Sequence, residues 1–101
     1  MNNKNILIPQ EKIRDFCRRW KVIEFGLFGS ILREDFHYGS DVDVLVTFSP
    51  DAHHSLFDLV RMEEELGLIF GRKVDVVEKA ALRNPFRRHA ILKSLEVVYA
   101  P

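Results

Sequence analysis

The sequence predicts an α/β domain: a small mixed sheet of three to four strands packed by helices. Three observations carry that reading. Apolar residues recur at helical spacing in two separate stretches, β-branched runs that read as strands lie between and after them, and 101 residues with 47% hydrophobic and 30% charged side chains suit one core. Residues 1–101 are therefore expected to form a single domain, with no room for a second lobe.

Between Pro9 and Trp20, the residues Ile13, Phe16, Cys17 and Trp20 fall at i, i+3, i+4 and i+7, opposite Arg14, Asp15, Arg18 and Arg19. This is an amphipathic first helix, with Phe16, Trp20 and Cys17 on its core side. Val22 to Phe28 is rich in strand formers and stops at Gly29-Ser30, a turn signal followed by the helix-compatible Ile31-Leu32-Arg33-Glu34. After a polar loop from Asp35 to Ser40, the β-branched content of Asp41 to Phe48 argues a second strand that Ser49-Pro50-Asp51 ends. Ser55 and Asp58 have the spacing of a capping box, and Leu56, Leu59, Met62, Leu66 and Ile69 continue at helical spacing to Gly71. Glu63, Glu64 and Glu65 are expected on the solvated side of this longest helix. Lys73 to Val77 alternates as a third strand, Asn84-Pro85 supplies an N-cap and first-turn proline for a last helix to about Ser94, and Leu95 to Tyr99 adds an edge strand.

Fifteen Lys and Arg balance fifteen Asp and Glu, so no global field favours nucleic acid or an anionic membrane, and direct nucleic-acid binding is not expected. The single cysteine excludes an internal disulfide and a cysteine-based zinc cluster, and fits a reducing, cytoplasmic setting. No run of roughly 18 apolar residues predicts a membrane span, and no signal segment is evident. His37, His53, His54 and His89 share no metal-ligand spacing and are expected at the surface. Arg83, Arg87, Arg88, His89 and Lys93 form a basic cluster that is either a solvated helix face or a docking face.

Chemistry concentrates elsewhere. Asp41 and Asp43 are two apart on a strand, so both carboxylates take one face with Cα atoms about 6.5 Å apart, while Val42, Val44 and Val46 take the other. Asp75 lies between Val74 and Val76 on the third strand, and if the second and third strands pair, three carboxylates converge. Two such charges at about 5 Å repel by some 3 kcal/mol at an effective dielectric of 20, a cost that a divalent cation removes. Oxygen-only ligands point to Mg²⁺ or Mn²⁺, and two such ions can clamp an in-line phosphoryl displacement. Gly29-Ser30 supplies a place for phosphates: a glycine for close backbone approach, a hydroxyl donor, and a helix start. Arg33, one turn on, can reach phosphate oxygens, and Ser40 either turns the loop or touches the nucleotide. The Walker A lysine motif is absent, which excludes a P-loop.

Gly29-Ser30, ten residues, then Asp41-Val42-Asp43 resembles the signature of the polymerase-β-like nucleotidyltransferases. The longer strings Phe28-Gly29-Ser30-Ile31-Leu32-Arg33 and Ser40-Asp41-Val42-Asp43-Val44-Leu45-Val46 resemble the minimal nucleotidyltransferase (MNT) branch, and the likeness runs over nearly the whole chain. The resemblance implies the polymerase-β-like core, with Asp41 and Asp43 binding both metal ions, Asp75 as the third carboxylate, and Gly29 with Ser30 holding the terminal phosphates. It also implies an antitoxin whose partner is a HEPN-domain ribonuclease toxin. The implied reaction is Mg²⁺-dependent AMP transfer from ATP to a tyrosine hydroxyl of that toxin. Two other readings stand beside it: a non-catalytic antitoxin that occludes its toxin, and a nucleotidyltransferase acting on a small molecule or an RNA.

Overall fold

In the computed structural model, which describes residues 7–32 and 39–100, these patterns become three α-helices, four strands and two short 3-10 turns. Helix α1 spans Gln10–Trp20, β1 Val22–Phe28, β2 Val42–Phe48, α2 Leu56–Phe70, β3 Val74–Glu78, α3 Pro85–Ser94 and β4 Glu96–Tyr99. The turns are Gly29–Leu32 and Lys79–Ala81. The strand order is β3-β2-β1-β4, with β1 antiparallel to both β2 and β4 and β2 parallel to β3. The predicted mixed sheet, its edge strand β4 and the pairing of the second and third strands are all present.

Local chemistry sets the helix ends. Ser55 Oγ accepts from Asp58 N, and the Asp58 carboxylate accepts in return from Ser55 N at 2.9 Å, a complete capping box. At the other end Gly71 sits at φ +68, which closes α2 without Cβ strain. Asn84 Oδ1 accepts from Phe86 N and Arg87 N at 3.0 and 3.1 Å, with Pro85 in the first turn of α3.

The sheet has two apolar faces. On one, Val42, Val44, Val46 and Val74 pack with Ile13 and Phe16 of α1 and with Met62 and Leu66 of α2. On the other, Phe28 and Leu45 pack with Leu82 and with Ile91 of α3. Cys17 is buried in the first cluster, and that burial pushes its thiol up to about 12, leaving it an inert packing group.

Three expectations are corrected. Leu56 is 80% exposed rather than part of the apolar stripe. It lies six residues before Met62, about two-thirds of a turn round the helix, so Leu59, Met62, Leu66 and Ile69 carry the stripe alone. Of the three glutamates only Glu64 is exposed. Glu63 accepts from Val76 N at 2.8 Å on the edge strand, and Glu65 accepts from Trp20 Nε1 at 3.1 Å and from the Arg19 guanidinium. His54 is not a surface residue. Its ring lies edge-on to Phe48 and Trp20, at centroid distances of 4.6 and 5.6 Å, and Nε2–H donates to the Trp20 carbonyl at 2.7 Å. Since a carbonyl only accepts, Nδ1 faces the Asp58 carboxylate, 3.8 Å away. His53 and His89 are exposed, while His37 lies outside the described residues.

Two outcomes follow for stability. Ser55→Ala is expected to cost about 1 kcal/mol in urea unfolding, through loss of the N-cap. Arg19 holds the Glu65 carboxyl below its usual range, chiefly through their hydrogen bond. The resulting stabilisation is complete above the unfolded carboxyl's ordinary value, about 4.3, and is lost as pH falls through the lower folded value. Glu65→Gln should therefore flatten the acid limb of a stability-against-pH curve.

Candidate active site

The alternation of β2 decides where its carboxylate goes. With Val42, Val44 and Val46 fully buried against α1 and α2, Asp43 must project from the opposite face, the one that carries Leu45 and Phe28. In the parallel pairing Asp43 stands directly opposite Asp75, and Val42 opposite Val74. Adjacent strands lie about 4.8 Å apart, so the two carboxylates leave one face as neighbours. Both are partly exposed. Asp41 lies one residue before β2 rather than within the strand, so strand alternation does not fix its side chain. Although the second and third strands pair, the expected convergence of all three carboxylates is not seen.

The Gly29-Ser30 turn meets Asp43 from β1, because Phe28, the last residue of β1, is the antiparallel partner of Asp43. Gly29 has φ +75, and a Cβ built there would overlap Asp43 Oδ2 and lie 3.3 Å from its Cγ. The turn thus needs glycine twice, for its backbone conformation and for the carboxylate pressed against it. Ser30 Oγ donates to the Asp41 carbonyl at 3.0 Å, which ties the turn to the start of β2. The following segment is a 3-10 turn through Leu32, not an α-helix within the described residues. Arg33 lies outside the described residues. Ser40 is partly exposed beside Asp41.

Among the described residues no three His, Cys, Asp or Glu side chains stand close enough to enclose a metal ion. The donor set nonetheless fits a hard divalent cation in kind. Asp43 and Asp75 are cross-strand neighbours with oxygen donors only, Asp41 is the residue just before β2, and the missing Cβ of Gly29 lets the Asp43 carboxylate sit against the turn. Sequence reasoning did not foresee the polar trio at the far end of this face. Glu24 accepts from Thr47 Oγ1 at 3.4 Å and from Lys79 Nζ at 3.3 Å, a contact made only once β1 pairs with β2. Helix α3 covers the middle of the face and touches the 3-10 turn that starts at Gly29. Arg83, Arg87, His89 and Lys93 are exposed, and Arg88 donates to the Lys79 carbonyl at 3.1 Å.

Residues 10–98 match the nucleotidyltransferase domain family. The chain belongs to this family. A protein adenylyltransferase of Thermococcus cleftensis, MntA, is 36% identical over 96 residues, spanning 95% of this chain and 90% of its own. Among solved structures, a toxin–antitoxin complex with AMP-PNP superposes with a TM-score of 0.75 at 18% identity, over 93% of this chain and 75% of that one. A tri-AMPylated Shewanella oneidensis HEPN toxin in complex with MNT antitoxin gives a TM-score of 0.66 at 17% identity, over 91% and 70%. These two likenesses establish a common fold, and the nucleotidyltransferase core expected from the Gly-Ser and Asp-Val-Asp strings is the one present.

Gly29 and Gly71 allow the turn's two requirements to be separated. Both have φ near +70, but a Cβ at Gly71 meets nothing within 4 Å. Gly71→Ala is expected to lower unfolding stability by about 1 kcal/mol, the left-handed penalty alone. Gly29→Ala should cost measurably more and displace the Asp43 carboxylate. Parallel urea titrations of the two variants give the comparison, and equal losses would contradict the close contact.

Proposed function

We propose that this chain is an antitoxin-type protein adenylyltransferase that moves AMP from ATP to a tyrosine hydroxyl of a cognate HEPN ribonuclease toxin in the cytoplasm, silencing it. The observation that carries the reading is the Asp43–Asp75 pair, with Asp43 against the Gly29 turn, in a chain related over nearly its whole length to the MntA adenylyltransferase. The two toxin–antitoxin structures of the same fold support the choice of acceptor.

In this reading Gly29 and Ser30 receive the terminal phosphates of ATP through the backbone N–H groups of the turn. Arg33 and Ser40 add contacts to the nucleotide. Asp41, Asp43 and Asp75 would hold two divalent cations, Mg²⁺ or Mn²⁺, which when bound offset the carboxylates' mutual repulsion and the charge gathering on the leaving pyrophosphate. The acceptor oxygen forms a bond to the α-phosphorus as the bond to the oxygen bridging α and β breaks. Pyrophosphate departs, and the hydroxyl proton passes to the Asp75 carboxylate. Position does most of the work, since the strands hold Asp43 and Asp75 side by side and no covalent intermediate is called for.

The deciding measurement is the intact mass of the co-expressed HEPN partner after incubation with ATP and Mg²⁺. The wild-type chain should add one or more AMP masses. Asp43→Asn should reduce the rate at least about a hundredfold while leaving the circular dichroism spectrum unchanged. An Asp43→Asn chain that labels at the wild-type rate would overturn the catalytic reading. A stable complex without labelling by either chain would instead favour neutralisation by occlusion.

A further inference from the structure

Four of the large apolar side chains exposed among the described residues, Leu56, Phe57, Val60 and Leu68, lie on α2. They occupy the side of the helix away from Met62 and Leu66, which are buried against the sheet. On that outer side Phe57, Arg61, Glu64 and Leu68 follow at i, i+4, i+7 and i+11, the four-three-four spacing of a helix–helix seam. Phe57 is 81% exposed and Leu68 87%, and Arg61 and Glu64 are exposed between them. We infer that this seam is self-complementary and that its partner is α2 of a second copy of the chain, packed antiparallel about a two-fold axis.

The order of the four residues argues for that partner. A two-fold axis crossing α2 between Met62 and Glu63 sets Phe57 against Leu68 of the other copy and Arg61 against Glu64 of the other copy, and the same two contacts recur by symmetry. Both apolar ends meet apolar ends, and both central charges meet their opposites. A parallel arrangement sets Arg61 on Arg61 and Glu64 on Glu64, and is disfavoured by the same charges. Glu64 enters no hydrogen bond or ion pair among the described residues, whereas its neighbours Glu63 and Glu65 bind Val76 N and Arg19 within the fold. The seam runs for about 16 Å, three turns, with Val60 and Leu56 widening its apolar flank. That is the small end of specific interfaces, so the dimer is a weak one, forming in the micromolar range. Because α2 covers the sheet face opposite Asp43 and Asp75, pairing through it leaves both sites open to nucleotide and acceptor.

Sedimentation velocity of the purified chain, from a few to several hundred micromolar, reads the proposal directly and does not depend on the catalytic reading. The wild-type chain should pass from monomer to dimer across this range. Leu68→Glu should hold it monomeric. Arg61→Glu and Glu64→Arg, each alone, should weaken the dimer about tenfold, and the double exchange Arg61→Glu/Glu64→Arg should restore it, a recovery that a folding defect at these exposed positions cannot produce. A wild-type chain monomeric throughout, or a double exchange no tighter than the single ones, would overturn the proposal. Loss of the HEPN partner on copurification with Leu68→Glu, with a monomeric wild-type chain, would assign the seam to that partner instead.

Discussion

The register of β2 between β1 and β3 is the constraint on which the rest of the structure depends. Strand side chains alternate, so the burial of Val42, Val44 and Val46 under α1 and α2 leaves Asp43 only the opposite face. A slip of one residue would drive Asp43 among Met62, Leu66 and Phe16, where an unpaired carboxylate costs several kcal/mol. The apolar core therefore holds Asp43 on the face that it shares with Asp75. The same register brings Asp75 beside Asp43 from one side and the end of β1, with Gly29, from the other.

Parallel pairing leaves β3 at the sheet edge, and α2 secures it. The Glu63 carboxylate takes the outward Val76 N–H, so the edge strand is held by a helix rather than by a further strand, and its free backbone is partly covered. Glu65 binds Arg19 and Trp20, which fixes α2 to the end of α1, and His54 closes the same corner by donating to the Trp20 carbonyl between Trp20 and Phe48. The polar residues of this layer are thus ties between elements, each satisfied by a partner from another part of the chain.

Those ties mark the boundary of what could be read from the sequence. Elements were legible because their signals are local: the α1 stripe, the Ser55–Asp58 box, the Asn84-Pro85 start and the β-branched runs each lie within a few residues. The site was legible for a related reason. Gly29-Ser30 and Asp41-Val42-Asp43 are short strings that can be recognised by their spacing, and alternation alone puts Asp43 opposite the valines. The roles of Glu63, Glu65 and His54 depend instead on partners 13, 45 to 46 and 34 residues away, and no periodicity announces them. Leu56, a leucine one turn before the stripe, looks like its beginning, but it stands about 100° round the helix from the centre of the stripe and is left exposed. The 3-10 turn that begins at Gly29 has the residues of a helix start and no cap in the sequence that distinguishes the two.

A net charge of zero conceals a segregation that bears on the site. Five of the fifteen Lys and Arg lie in residues 79–94, which contain no Asp or Glu, so the remainder of the chain carries a net charge of minus five. Helix α3, which carries Arg87 and Lys93 on its exposed side, packs on the same sheet face as Asp43 and Asp75 and touches the turn that begins at Gly29. A nucleoside triphosphate approaching two neighbouring carboxylates meets repulsion, and cations within about a Debye length, roughly 8 Å at physiological salt, offset it. The neutral average of the sequence is the sum of an acidic body and a basic helix laid across the face that carries Asp43 and Asp75, so the field an anion meets there differs from the field of the molecule as a whole.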